Sequence, residues 1–161
     1  MEKICCFIGH RDFNVSKYKE KLTELVENLI VKYGVNTFLF GSRSEFNYEC
    51  FVIVKNLKEK YNHIKLVYVR AEQQRLTDVD EVSILGHYDE TYFSSYAINT
   101  GKYSYIKRNE EMIDKSNYCV FYYNTDYLIK RNVPTNSGTE IAYNYAKSLN
   151  KEIINIFDNK K

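Results

Sequence analysis

Short apolar runs alternate along this chain with apolar stripes at helical spacing. The first run, "KICCFIGH" (residues 3 to 10), is bounded by glycine and has the unbroken apolar character of a strand buried on both faces. Tyr18, Leu22, Leu25, Val26, Leu29, Ile30 and Tyr33 then follow at steps of four and three, which predicts a helix of about four turns closed by Gly34 as a C-cap. "NTFLFG" reads as the next strand, Cys50, Ile53, Val54, Leu57 and Tyr61 as a second helix, and "IKLVYVRA" (64 to 71) as a third strand.

From about residue 72 to 101 the pattern lapses: no period is sustained, turn residues are frequent and tyrosines are many. This stretch reads as a long excursion, of the kind that in compact domains is often functional. Regular patterning resumes with "YSYIKRNEEMIDKS" as a helix, "NYCVFYYN" as a fourth strand, "SGTEIAYNYAKSL" as a helix and "KEIINIF" as a last strand. Strand and helix units of this length, alternating, predict an α/β fold, because a parallel crossover needs a dozen or so residues and carries its helix onto a sheet face. The expected architecture is a Rossmann-like three-layer sandwich with a mostly parallel sheet of about five strands. Its ligand edge lies where the carboxyl ends of the strands meet helix N-termini.

Composition narrows this picture. A chain of 161 residues, 44% hydrophobic and 16% aromatic, is enough for one core and too short for two ordinary domains, so a single domain over 1 to 161 is expected. Lysine plus arginine (23) nearly balance aspartate plus glutamate (21), leaving +2, which argues against a dedicated nucleic-acid or membrane binder. No run approaches the ~18 apolar residues of a membrane span, and the opening "MEKICCFIGHRD" is too soon interrupted for a signal peptide, so a cytoplasmic protein is expected. Cys5, Cys6, Cys50 and Cys119 form no CxxC pair and sit in apolar surroundings, as buried reduced thiols do. His10, His63 and His87 lack ligand spacing, so neither a metal nor a cofactor is indicated.

With no global field, any anion site must be local. Ser42-Arg43-Ser44-Glu45 and Ser137-Gly138-Thr139-Glu140 each fit the capping box S-x-x-E, in which the serine accepts from a first-turn N–H and the glutamate reaches back. Such a helix start beside a glycine, here Gly41 or Gly138, offers free N–H groups and the positive end of a dipole to a phosphate. Arginines stand near the same edge: Arg11 after Gly9-His10, Arg43 inside the first box, and Arg108 with Asn109 on the helix leading to the fourth strand. Guanidinium pairs bidentately with phosphate oxygens.

"CCFIGHRDF", "TFLFGSRSEFNYEC", "YVRAE", "YDETYF", "YIKRNEEMIDKSNYCVFYYN" and "SGTEIAYNYAKS", in this order from about residue 3 to 157, resemble the short YpsA-like proteins of the SLOG superfamily, which also includes cytokinin-activating LOG enzymes and DNA-processing DprA proteins. The resemblance implies a Rossmann-like domain that binds nucleotides or nucleotide-derived molecules, as a sensor or, in the LOG branch, as an enzyme cleaving an N-glycosidic bond. It places Gly138 and Thr139 on the GT of the LOG signature PGG-x-GT-x-EE, and Arg108 with Met112 on its arginine-lysine-x-x-methionine helix. Asn136 and Ser137 replace the paired glycines, and Glu140 comes one position earlier than the first glutamate of the signature, a turn of about 100° around a helix.

Chemistry at a ribosyl carbon wants a carboxylate near the anomeric centre and an anion site for the phosphate. Glu140 is the first candidate for that catalytic carboxylate, and it is equally placed to be only a capping glutamate. Asp89 and Glu90 in the excursion are placed to swing in from a lid, with Tyr88 or Tyr92 stacking on a base, and His10 is a candidate ligand contact or proton donor. The full candidate ligand set is Gly9, His10, Arg11, Gly41, Ser42, Arg43, Glu45, Tyr88, Asp89, Glu90, Arg108, Asn109, Ser137, Gly138 and Thr139. Three functions follow in order of expectation: a module that binds a nucleotide-derived small molecule to sense or sequester it, a LOG-like phosphoribohydrolase or ribosyl transferase, and a DprA-like nucleic-acid binder. The resemblance also leaves a homodimer open, with "EIAYNYAKSL" serving either a core or a dimer seam. Tyr143 and Tyr145, two apart, cannot share one side of that helix.

Overall fold

A computed structural model describes residues 1–41, 44–71, 83–124 and 137–157. Its centre is a sheet of six strands: β1 (Ile4–Gly9), β2 (Thr37–Phe40), β3 (Lys65–Arg70), β4 (Glu90–Phe93), β5 (Tyr118–Tyr122) and β6 (Glu152–Asn155). They are ordered β4-β3-β2-β1-β5-β6, and every neighbouring pair is parallel. The helices α1 (Val15–Val31), α2 (Glu45–Lys60), α3 (Ser104–Lys115) and α4 (Gly138–Ser148) connect them.

Side-chain alternation along the strands sorts the layers. Cys5, Phe7, Phe38, Phe40, Leu66, Val120 and Tyr122 point to the face covered by α1 and α2, where they meet Tyr18, Leu22, Val26 and Leu29 of α1 and Phe46, Cys50 and Val54 of α2. Cys6, Ile8, Leu39, Val67, Val69, Cys119 and Phe121 point to the opposite face, against Met112 and Ile113 of α3 and Ala142 and Ala146 of α4. The two buried faces explain why β1 and β5 read as continuous apolar runs. All four cysteines are buried free thiols.

The helix ends follow local chemistry. Asn14 caps α1 by accepting from the Lys17 N–H, and beyond its C-terminus Gly34 takes φ 72° while the Val35 N–H returns to the Leu29 carbonyl at 2.9 Å. Tyr33, placed in the apolar stripe by spacing, is instead half exposed beyond the last turn. On α4, Tyr143 packs against Phe121 and Tyr123, whereas the Tyr145 hydroxyl donates to Asp114 Oδ1 of α3 at 2.8 Å, so the two tyrosines do serve different neighbours.

One correction concerns the sheet itself. The segment from about 72 to 101, expected to be without regular structure, contains the edge strand β4, so the sheet has six strands rather than about five. None of its four residues is fully buried, which is why it lacks an apolar run. What holds its far end is polar: the Ser94 N–H donates to the Arg70 carbonyl, and the buried Glu111 carboxylate of α3 accepts from the Ser94 hydroxyl and the Ser95 N–H, each at 2.9 Å. Residues 72–82 of the excursion lie outside the described residues.

Candidate functional site

The chain runs outward from β1 through β2 and β3 to β4, then returns to place β5 on the other side of β1. The loop after β1 therefore leaves toward the α1/α2 face, and the loop after β5 toward the α3/α4 face. A crevice opens between them, as is usual at such a reversal of strand order. Gly9, His10 and Arg11 lie on its β1 side, and Tyr123 and Asn124 on its β5 side.

His10 ties the two sides together. Its N–H donates to the Tyr122 carbonyl, and its Nε2 accepts from the Asn124 N–H at 2.9 Å. An accepting Nε2 requires the neutral ring with its proton on Nδ1. Only 3% of the residue is exposed, and burial pushes its pKa down from 6.5 to about 4, against a smaller upward pull from the Asn124 contact and Asp12. The unfolded chain thus takes up a proton near 6.5 and the folded chain only near 4. The stabilisation is fully present above the higher value and is lost as pH falls toward the lower. A His10→Gln variant, which keeps a polar side chain but cannot titrate, should lose less stability than the parent over that window; denaturant midpoints along a pH series measure it, with Asp12, Tyr122 and Tyr123 as the neighbouring titratable groups common to both.

Beside this crevice, Gly41 ends the β2 segment against α3. A Cβ added there would lie 2.7 Å from Arg108 Cδ, 2.8 Å from Arg108 Nε and 2.9 Å from Met112 Sδ. The missing side chain is what lets α3 approach and lets Arg108, 2% exposed, run in under the rim. There its Nη1 donates to the Gly41 carbonyl and its Nε to Asn109 Oδ1, while its guanidinium lies 5.5 Å from the centre of the exposed Tyr105 ring.

The start of α2 corrects the first capping box. Ser44, not Ser42, is the N-cap, and its hydroxyl accepts from the Asn47 N–H at 3.1 Å. Glu45 does not reach back to a serine: its carboxylate accepts from the Phe13 N–H at 3.0 Å, and its own N–H donates to the Arg11 carbonyl. These two bonds strap the Gly9–Phe13 loop to the first turn of α2. Ser42 and Arg43 lie outside the described residues. The second box keeps its serine, since Ser137 accepts from the Glu140 N–H at 3.0 Å, with Thr139 buried and nothing within 4 Å of a Cβ built on Gly138.

Three of the expected ligand residues are not at this rim. Tyr88, Asp89 and Glu90 sit where β4 begins, at the opposite edge of the sheet. Asp89 Oδ2 accepts from the Leu66 N–H at 2.8 Å and the carboxylate pairs with Lys58, Glu90 pairs with Lys65 at 2.6 Å, and Tyr88 packs among Phe40, Phe51 and Tyr68. They close a strand start rather than a lid over the crevice.

Sequence reasoning passed over two asparagines. Asn47, 3% exposed, accepts from the Gly41 N–H and donates to the Phe7 carbonyl at 2.9 Å, joining the ends of β1 and β2 to α2. Its signal was available, since an amide stands amid the buried positions Phe46, Cys50, Ile53 and Val54 of the helix. Asn155 of β6 donates to the Tyr123 carbonyl and accepts from the Tyr123 N–H, both at 3.0 Å, for which no local sequence signal exists. Among the described residues, no group of three or more histidines, cysteines and carboxylates stands together to hold a metal ion. None of the described helices is long and apolar enough to cross a membrane.

The parallel sheet, its two helical layers and the crevice at the strand-order reversal define a protein of Rossmann-like α/β architecture. No protein-family model matches the chain, and no curated protein sequence matches it. Among solved structures it is similar to the molybdenum cofactor carrier protein MCP from Chlamydomonas reinhardtii, with a TM-score of 0.51 and 13% identity over 95% of this chain and 75% of that one. At that identity the likeness is one of fold.

Proposed function

We infer that this rim binds a nucleotide or nucleotide-derived small molecule through its phosphate and ribose, and that the chain senses or sequesters it as a YpsA-like member of the SLOG superfamily. The observation that carries the reading is the convergence at one edge of the loops after β1 and β5, the Gly41–Arg108 junction and the first turn of α4. Amide hydrogens, a helix start and arginine side chains there present positive potential to an anion in a chain whose overall charge is only +2. The order of GHR, FGSRSEF, RN-x-x-M and SGT along the chain supports the same reading. The structural neighbour, named as a cofactor carrier, is a precedent for a holder built on this fold.

Thermal unfolding against a panel of nucleoside phosphates tests the reading. A ligand at about 100 times its dissociation constant stabilises by about 2.7 kcal/mol, which in a chain of this size raises the midpoint by several degrees. Arg11 is exposed, so Arg11→Ala should leave the unliganded midpoint in place while blunting that rise, and Arg43→Ala should blunt it too. A panel that shifts nothing, or variants that respond like the parent, would place the phosphate elsewhere. Chromatography of the same mixtures separates holding from turnover: free base that appears with the parent and vanishes with Glu140→Gln would make the protein a LOG-like N-glycosidase, with Glu140 as the carboxylate at the anomeric centre.

A further inference from the structure

Tyr123 is held more firmly than a residue just past a strand needs to be. Its backbone is clamped on both polar groups by Asn155, its ring packs 4.9 Å from Tyr143 and 5.9 Å from His10, and the next residue is fixed by the His10–Asn124 bond. The phenol so placed is a hydrogen-bond neighbour of Glu140 on the first turn of α4. Burial first, and then the Glu140 charge, raise the Tyr123 pKa, so the phenol keeps its proton and donates it to the carboxylate. In a completed capping box Glu140 would turn back to the Ser137 N–H. Here its backbone serves the cap and its side chain is engaged across the crevice by Tyr123.

A carboxylate only accepts hydrogen bonds, and its two oxygens have about four acceptor positions, of which one phenol occupies one. At an edge otherwise rich in N–H and guanidinium donors it has the wrong sign for phosphate. The ligand groups that match it are neutral donors, and a vicinal diol offers two of them at carboxylate spacing. We propose that Glu140, positioned by Tyr123, receives the ribose hydroxyls of the ligand, so that the site takes ribonucleotides in preference to their 2′-deoxy counterparts. This rests on the nucleotide-binding reading above and names the sugar that reading requires.

The test compares the dissociation constants of the four ribonucleoside 5′-monophosphates and their 2′-deoxy forms by calorimetry, with inorganic phosphate as the phosphate-only control. For the best base the parent should prefer the ribose form about tenfold or more, the range expected when a buried acceptor loses a hydroxyl partner. Glu140→Gln, near-isosteric at its helix position, should bring that ratio toward one. Tyr123→Phe keeps the ring packing and removes only the donor, so it should lower the ratio several-fold while leaving 2′-deoxy binding unchanged, a selective effect that a purely structural role would not produce. Equal binding of ribose and deoxyribose forms by the parent, or a ratio untouched in Glu140→Gln, would overturn the diol assignment and leave the phosphate reading standing. A loss in Tyr123→Phe that is the same for both sugars would overturn the positioning role. Absence of binding by every nucleotide would overturn the underlying reading and this one with it.

Discussion

Gly9→Ala is expected to destabilise the protein by about 3 kcal/mol or more, at the upper end of what overpacking costs. A Cβ at this position would lie 2.3 Å from Phe46 Cδ2, 2.6 Å from Phe46 Cγ and 2.9 Å from Tyr122 Cβ. Phe46 has no slack with which to yield. It is fully buried, stacks on Tyr122 at 5.7 Å and meets the edge of the Phe13 ring at 5.3 Å. Displacing it would also disturb the first turn of α2, and through Glu45 the Gly9–Phe13 loop. The glycine of GHR is thus needed for a close approach of ring to strand. Denaturant unfolding measures the loss, and a change below about 0.5 kcal/mol, the range of neutral surface substitutions, would contradict the packing described.

Arg108→Ala is expected to cost about 2–4 kcal/mol, because it removes a buried side chain and leaves the Gly41 carbonyl without its guanidinium donor. Its coupling to Gly41 is the more discriminating measurement. Gly41→Ala alone forces a methyl against Arg108 and Met112, at a cost of about 1–3 kcal/mol. In the double variant the methyl enters space that the arginine has vacated. The two losses should therefore fall short of additive by about 1 kcal/mol or more, as for residues in direct contact. Strict additivity in denaturation would show that Arg108 does not occupy the space over Gly41.

Much of the fold was legible because burial writes period into sequence. The runs at Cys5–Ile8 and Cys119–Tyr122 are buried on both sides, and the stripe from Tyr18 to Ile30 packs against one face, so each declares itself. β4 did not, because an edge strand whose far end is held by Glu111 and two serines has no apolar pattern to read. The same limit applies to the candidate site. Gly9, His10, Gly41, Arg108 and Ser137 stand at strand ends or helix starts and could be placed on the rim from topology alone. Ser44 was one of two serines in "SRSE", and spacing alone favoured the wrong one. Tyr88, Asp89 and Glu90 were assigned to a lid because the excursion hid the strand that carries them to the other edge. Tyr123 and Asn155 are brought together by β5–β6 pairing, which nothing local to either residue announces.

The bond pattern of Asn155 also sets an order of events. Chains emerge from the ribosome N-terminus first and fold progressively. β1, β2 and β5 can therefore associate before the last strand exists, but until Asn155 arrives no amide braces Tyr123 from that side, and the crevice lacks one of its fixed walls. A nascent chain would thus be a poor host for the guest that the finished molecule is built to hold, and capture during synthesis would be suppressed without any separate inhibitor.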